Sequence, residues 1–491
     1  MTKRGIGRPA GGMVTRVLSH RYGIAGLVLV ALVAVYGVAV ASTHTPRRAP
    51  VHGVPAPVES AIAVCPDPAA RAKAATRVSA MTSLTPRKGG QAEVKDTRSG
   101  TVVTTLTAPG TSWYREVKGA AGAYTIRAAG ALAGGLSVEQ TTIAAKGGDQ
   151  GLAGVRCAAP GTDLWFLGSG PVESKSIDLF VSNVDEQSTA VDVEALSGEG
   201  PLDSSDGHGI PIDPNTTKVI GIGRSPDGLG HIVDSARVLA LHVRATTGRV
   251  AASVRIRTAK GVDWVPLAQT PRTSLVVPGI PGGSGSRRLL VAVPGEFDAR
   301  VKVQAITANG AFAPQGQDTL DAPAQTVTPL DLDHALAGKG AAVRLTSDRP
   351  ITAGFLAQVG NDVAYGAGTA PLGQGGVVAD NRAGESSVLV TAPQGPANVR
   401  IVTVTGQGAV GTPQDVKVNG GRTLEVRVGE PPGLAAKGFG IMITSQPGSG
   451  PVYAARLLRG KGNLITVLPI VPAVSTVMLP PVGNSLTAVV P

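Results

Sequence analysis

Aromatic side chains and cysteine are the scarce residues of this chain. Its 491 residues include six Phe, six Tyr, three Trp and two Cys. Two cysteines with no neighbouring histidine make no zinc site. Few aromatics, and no basic stripe interleaved with them, argue against a nucleic-acid surface. Catalytic signatures are missing as well: the sequence holds no HExxH, GxSxG, SxxK or Walker loop. The glycine-rich strings at 221–228, 281–286 and 446–451 have the wrong spacing for phosphate cradles and read as turns. We therefore expect no enzyme and no cofactor.

One long apolar run is present, Gly23 to Ala41, without a charged residue. As a helix it is long enough to cross a hydrocarbon core of roughly 30 Å. Lys3, Arg4, Arg8, Arg16 and Arg21 precede it with no acid among them, which places the N-terminus in the cytoplasm and the bulk of the chain outside. The run exceeds a usual signal h-region, which favours a retained signal-anchor. Ala39-Val40-Ala41 has the small-x-small pattern of a cleavage site, so secretion after cleavage at Ala41 is the alternative.

The formal net charge of +11 is concentrated in this leader. Seven of the 45 basic residues precede Val58 and none of the 34 acids does, so 38 basic residues face 34 acidic ones in the remainder. That is an ordinary solvated surface, and no nucleic-acid partner is expected. Cys65 and Cys157 both fall on the outer side. An even pair in an oxidising compartment points to a disulfide, with two free thiols as the alternative.

Abundant Gly and Pro with Val, Thr and Ala point to short strands and turns. Runs such as 299–305 and 398–404 alternate apolar and polar residues with the period of half-buried strands. A rhythm near one hundred residues repeats: Ile126, Val238, Val343 and Ile441 occupy corresponding places, spaced 112, 105 and 98 apart. This is the size of a β-sandwich rather than of a propeller blade or solenoid unit.

The expected fold is all-β, with tandem immunoglobulin-like sandwiches after one N-terminal transmembrane helix. The boundaries read as a basic cytoplasmic leader (1–22), the helix or signal (23–41) and a Pro-rich linker (42–57). Four sandwiches follow at 58–160 (closed by the disulfide), 161–270, 271–374 and 375–491, the last carrying an extra C-terminal strand. That strand, 475–480, is expected to pair with an edge of the fourth sandwich, and the repeated units to form a long stiff scaffold.

Candidate site residues are few. Trp113 and Trp165 are weak candidates for sugar stacking, with strand packing as the default for both. Asp331, Asp333 and His334 superficially resemble a metal motif, but the two carboxylates are expected to cap a turn. The oxygen-rich loop from Asp203 to His208 lacks a calcium loop's ligand spacing. His242 reads as a surface residue of a strand. No metal site is expected.

The strings CPDP (65–68), GLSVEQ (135–140) and CAAPGTDLWFLG (157–168), with the late Ser/Thr-x-x-Pro hairpins, carry a resemblance. In these the chain resembles actinobacterial single-pass or secreted envelope proteins grouped only as a domain of unknown function. The resemblance implies no activity and no catalytic residues. Such proteins tend to be encoded beside a large membrane glycosyltransferase, which implies a role in envelope assembly. The leading expectation is a non-enzymatic, membrane-anchored envelope protein that binds a protein or glycan partner. The alternatives are an accessory subunit of that glycosyltransferase and an enzyme whose site is assembled across domains.

Overall fold

The computed structural model describes residues 21–42, 53–68, 74–84, 87–118, 122–145, 147, 149–406, 408–429, 431 and 438–480. The basic leader, apart from its last two residues, and residues 43–52 of the Pro-rich stretch lie outside these. The apolar run is a helix, α1 (Arg21–Ser42). Its segment Gly23–Val40 has a mean hydropathy of 2.5 and none of it is buried, as expected of a membrane anchor or a signal sequence.

The rest is almost entirely strand. The Val- and Thr-rich alternating segments fill eight strand positions per repeat, the fourth being split into two short strands in the second and third repeats, and the positions divide between two sheets. In the first sandwich the strands Ser60–Cys65, Tyr124–Gly130, Gly90–Asp96 and Val102–Leu106 make one sheet. Ser112–Lys118, Ala74–Met81, Ser137–Ala144 and Gly151–Arg156 make the other. Numbered within the repeat, the strand order is 1-6-3-4 in one sheet and 5-2-7-8 in the other.

The same order recurs in the sandwiches that open at Asp163, Arg272 and Gly375. In the third, strands six and seven are one continuous segment, Ala341–Val359, which passes from one sheet to the other. The 2–5 and 3–6 pairs belong to an immunoglobulin domain, while the first strand lies beside the sixth and the seventh beside the second. Each sandwich has its own apolar core, centred on residues such as Ile126, Leu179, Val291 and Val390.

Residues 56–477 form one compact unit, so the repeats do not make a long scaffold. The eighth strands are the reason. Gly151–Arg156 touches Val262–Val265, which touches Asp362–Ala367, which touches Leu464–Ile470, which returns to Gly151–Arg156. The four sandwiches thus close a ring around their last strands. Close approach requires glycine there: a Cβ on Gly154 would lie 2.7 Å from Thr466 Oγ1.

The C-terminal strand departs from expectation too. Thr476–Leu479 pairs with Val54–Pro57, the end of the Pro-rich stretch, rather than with an edge of the fourth sandwich. The fourth sandwich has no open place beside its first strand at that point. Phe439–Ser445 already pairs with Gly375–Asn381 along one side, and the bridge from Gly376 to Pro472 occupies the other.

Cys65 and Cys157 are joined, with Cα atoms 4.3 Å apart and a separation of 92 positions in sequence. The bond ties the first strand of the first sandwich to the residue after its last. Cys65→Ser or Cys157→Ser should lower stability by about 2–4 kcal/mol, read by urea denaturation. A loss under about 0.5 kcal/mol would show that the ring holds this sandwich closed without the bond.

Candidate functional site

A concavity lies where the first, second and fourth sandwiches meet. It is a pocket of about 500 Å³, within the range that holds small organic ligands. Strand one of the first sandwich supplies Ala61 to Ala63, and strands seven and eight supply Val138 and Gly154 to Arg156. The second sandwich contributes Ser253 and the segment Trp264 to Leu267, and the fourth contributes Leu468 and Pro469. The closing segment, from Val471 to Val474 and again at Val477, completes the wall.

Sequence explains why this wall is apolar. Strands at the ring closure are covered on both faces, one by their own core and one by a neighbouring sandwich, so their apolar residues do not alternate with polar ones. Leu464–Ile470 is buried at every position. Cys157 lines the pocket, so the disulfide holds part of its wall.

A buried polar network stands behind this wall, between the first and fourth sandwiches. Glu139 is 1% exposed; it accepts from the Asp380 amide at 3.1 Å and from Ser137 Oγ at 3.3 Å. Burial pushes its carboxyl above the ordinary value, against the opposing pull of Arg456 and Arg156. Asp380 accepts from Thr141 Oγ1 at 2.6 Å and lies 3.8–4.0 Å from the guanidinium groups of Arg77, Arg382 and Arg456. Arg456 is fully buried and donates to the Asp380 carbonyl at 2.6 Å. Burial lowers the pKa of Arg156, opposed by Glu139.

Two more carboxylates sit at the ring's centre. Asp263 Oδ1 accepts from the amides of Gly154 and Trp264, each at 2.8 Å, and from Thr466 Oγ1 at 3.1 Å. Asp362 Oδ2 accepts from the amides of Leu152 and Ile465, each at 3.0 Å, and Oδ1 from Val363 at 3.0 Å. Burial pushes Asp362 up to about 7. It also raises Asp263 well above its usual range, with Asp362 adding to the rise. Raised carboxyls at a domain junction are what a cross-domain active site would show. Here each carboxylate accepts from a donor of the first sandwich and a donor of the fourth as well as from its own next residue, so the pair acts as a staple joining all four.

On the outer sheet of the second sandwich, Asp192, Glu194 and His208 bring ligand atoms within 4.8 Å of one another. His208 comes from the oxygen-rich loop and the two acids from the third strand. A cation already serves this group: Arg244 donates to Asp192 Oδ2 at 2.8 Å. The hydrogen bond to Asp203 raises the pKa of His208.

Trp165 is stacked on His242 with ring centres 4.1 Å apart, and its indole donates to Asp163 Oδ1 at 2.8 Å. Both faces are committed, since Trp165 is only 5% exposed; His242 is half-buried rather than a free surface residue. Trp113 packs against the core of the first sandwich. Asp331 caps a turn, its Oδ1 accepting the Asp333 amide at 2.8 Å, whereas Asp333 accepts the Arg287 amide of the second strand of the third sandwich. His334 is exposed beside them. The pocket itself left almost no linear trace, because its described lining is drawn from seven separated stretches. The signal that could have pointed to it is a Pro-apolar pair near the end of three repeats, Pro266-Leu267, Pro371-Leu372 and Pro469-Ile470, since Pro266, Leu267 and Pro469 all line it.

The strings that carried the resemblance converge on this region. Gln140 Nε2 donates to the Pro66 carbonyl at 3.0 Å, Glu139 is its neighbour, and Cys157 is bonded to Cys65. No curated protein matches the sequence. A model of DUF5719, a family of unknown function, matches residues 114–429. That stretch runs from the first sandwich into the fourth and takes in more than half of the chain, so the protein belongs to the DUF5719 family.

Proposed function

We propose that this protein is a membrane-tethered, non-enzymatic binding protein of the cell envelope, and that the pocket joining three of its sandwiches is its ligand site. The pocket is the observation that carries this reading. It is lined by apolar side chains from parts of the chain about 400 residues apart, and the disulfide and the ring closure hold it in shape. A protein or glycan partner would then engage the exposed loops and edges around it. The apolar helix and the basic leader support tethering with the bulk outside. A reporter fused after Pro491 should be active only outside the membrane, and cytoplasmic activity would overturn that orientation.

Filling the pocket tests the reading. Ser253 and Ala159 both line it. Ser253→Phe and Ala159→Trp should leave thermal unfolding near the wild type, yet fail to complement a strain lacking the gene. Full complementation by both folded variants would mean that the pocket is not the working site.

A further inference from the structure

We infer that the pocket takes a single-chain amphiphile with an anionic head, its chain against the apolar wall and its head on Arg156. This rests on the pocket being a ligand site and names the chemistry of the ligand.

Among the described residues, Arg156 is the only charged side chain lining the pocket. It is half-buried, and its only hydrogen bond among the described residues is a long one, 3.4 Å from Nη1 to the Val377 carbonyl. A guanidinium carries five donors in a planar fork that matches a carboxylate or phosphate. Within the described residues only one of those donors finds an acceptor, which leaves the others for an anion. The nearest acid is Glu139, which faces Arg156 across two adjacent strands. They form no ion pair within 4 Å, and the Glu139 oxygens accept from Ser137 Oγ and the Asp380 amide instead. The fork thus has no ion-pair partner within 4 Å among the described residues, on a residue that lines the pocket.

The remainder of the wall fits a hydrocarbon chain. Leu136, Val155, Val265 and Leu468 line it, and among the described residues its uncharged polar groups are the Ser253 hydroxyl and the Trp264 indole, apart from the cysteine. A peptide in that space would bury its amides with almost no side chain to pair them, whereas a chain with one charged end needs pairing only at that end. Leu267, Val474 and Val477 also line the pocket and are 43%, 53% and 42% exposed. Apolar side chains held open to solvent around an apolar cavity are what entry of a chain requires.

The test uses the full chain in phosphatidylcholine nanodiscs with two photoactivatable probes of equal length, a diazirine palmitate and a diazirine hexadecanol. Crosslinked peptides are mapped by mass spectrometry and normalised to labelling of the apolar helix, which reports probe in the bilayer. Palmitate should label peptides holding Ala61–Ala63, Val138 and Ser253 well above hexadecanol. Arg156→Gln should cut that palmitate signal about tenfold and leave the hexadecanol signal unchanged, while Arg156→Lys retains most of it. Should Arg156→Gln fail to fold, the two probes on the wild type decide. Equal labelling by both probes would overturn the anionic head and leave the apolar ligand site standing. No pocket labelling by either probe would overturn both.

Discussion

Asp263→Ala should lower stability by about 3–5 kcal/mol and open the ring rather than loosen one sandwich. The carboxylate is fully buried, and it receives the Gly154 amide from the first sandwich and the Thr466 hydroxyl from the fourth. With the Trp264 amide, three donors lose their acceptor. Each buried unpaired donor costs about 1–3 kcal/mol, and relief from desolvating a carboxylate offsets only part of that. Hydrogen exchange should localise the change to the amides of Gly154 and its neighbours. A variant within about 1 kcal/mol of the wild type in urea would show that the ring does not depend on this residue.

The partner carboxylate adds a pH dependence whose sign is fixed. An unfolded aspartate ionises near 3.9, and the fold raises Asp362 to about 7. The folded state thus holds the proton more tightly. Its contribution to stability is present in full below about pH 4 and is lost as the pH rises through about 7. By linkage the swing is at most about 4 kcal/mol. Asp362→Asn should therefore gain on the wild type between pH 5 and pH 8. A stability difference that stays flat across that range would mean Asp362 is ionised throughout.

Both carboxylates show where sequence reasoning stops. Ala299–Thr307 alternates buried and exposed residues over its first half, and its period of two is visible in the sequence. Ile126, Val238, Val343 and Ile441 all fall on the sixth strand of their sandwich, because each repeat must place an apolar residue there to fill its core. Val262-Asp263-Trp264-Val265 carries the same alternation, yet all four residues are buried. Periodicity reports the face a strand turns to its own core. It is silent on a second face covered by another sandwich, so Asp263 reads as a surface residue. The pocket and the Glu139 network escape for the same reason: they belong to contacts between repeats, which no local pattern encodes. Trp165 is a milder case, since its burial was legible from its strand but its stacking on His242, 77 positions away, was not.

Arg456→Met carries the second large effect. Arg456 is fully buried among Asp380 and Glu139, and breaking a buried charge group by removing one member costs about 3–5 kcal/mol. Asp380 keeps Arg77, Arg382 and Thr141 as neighbours, so Glu139 is the acid left most exposed to the loss. Two explanations of the cost then separate. If it is electrostatic, adding Glu139→Gln should restore about half of it. The glutamine oxygen can still accept from the Asp380 amide, and no uncompensated charge remains. If the cost comes from lost packing of the long side chain, the second substitution restores nothing. Because Glu139 also neighbours Arg156, the double variant has a further consequence. It removes the acid facing the pocket's guanidinium, and palmitate labelling should hold or rise while stability recovers. Recovery without retained labelling would separate the network's structural role from the pocket.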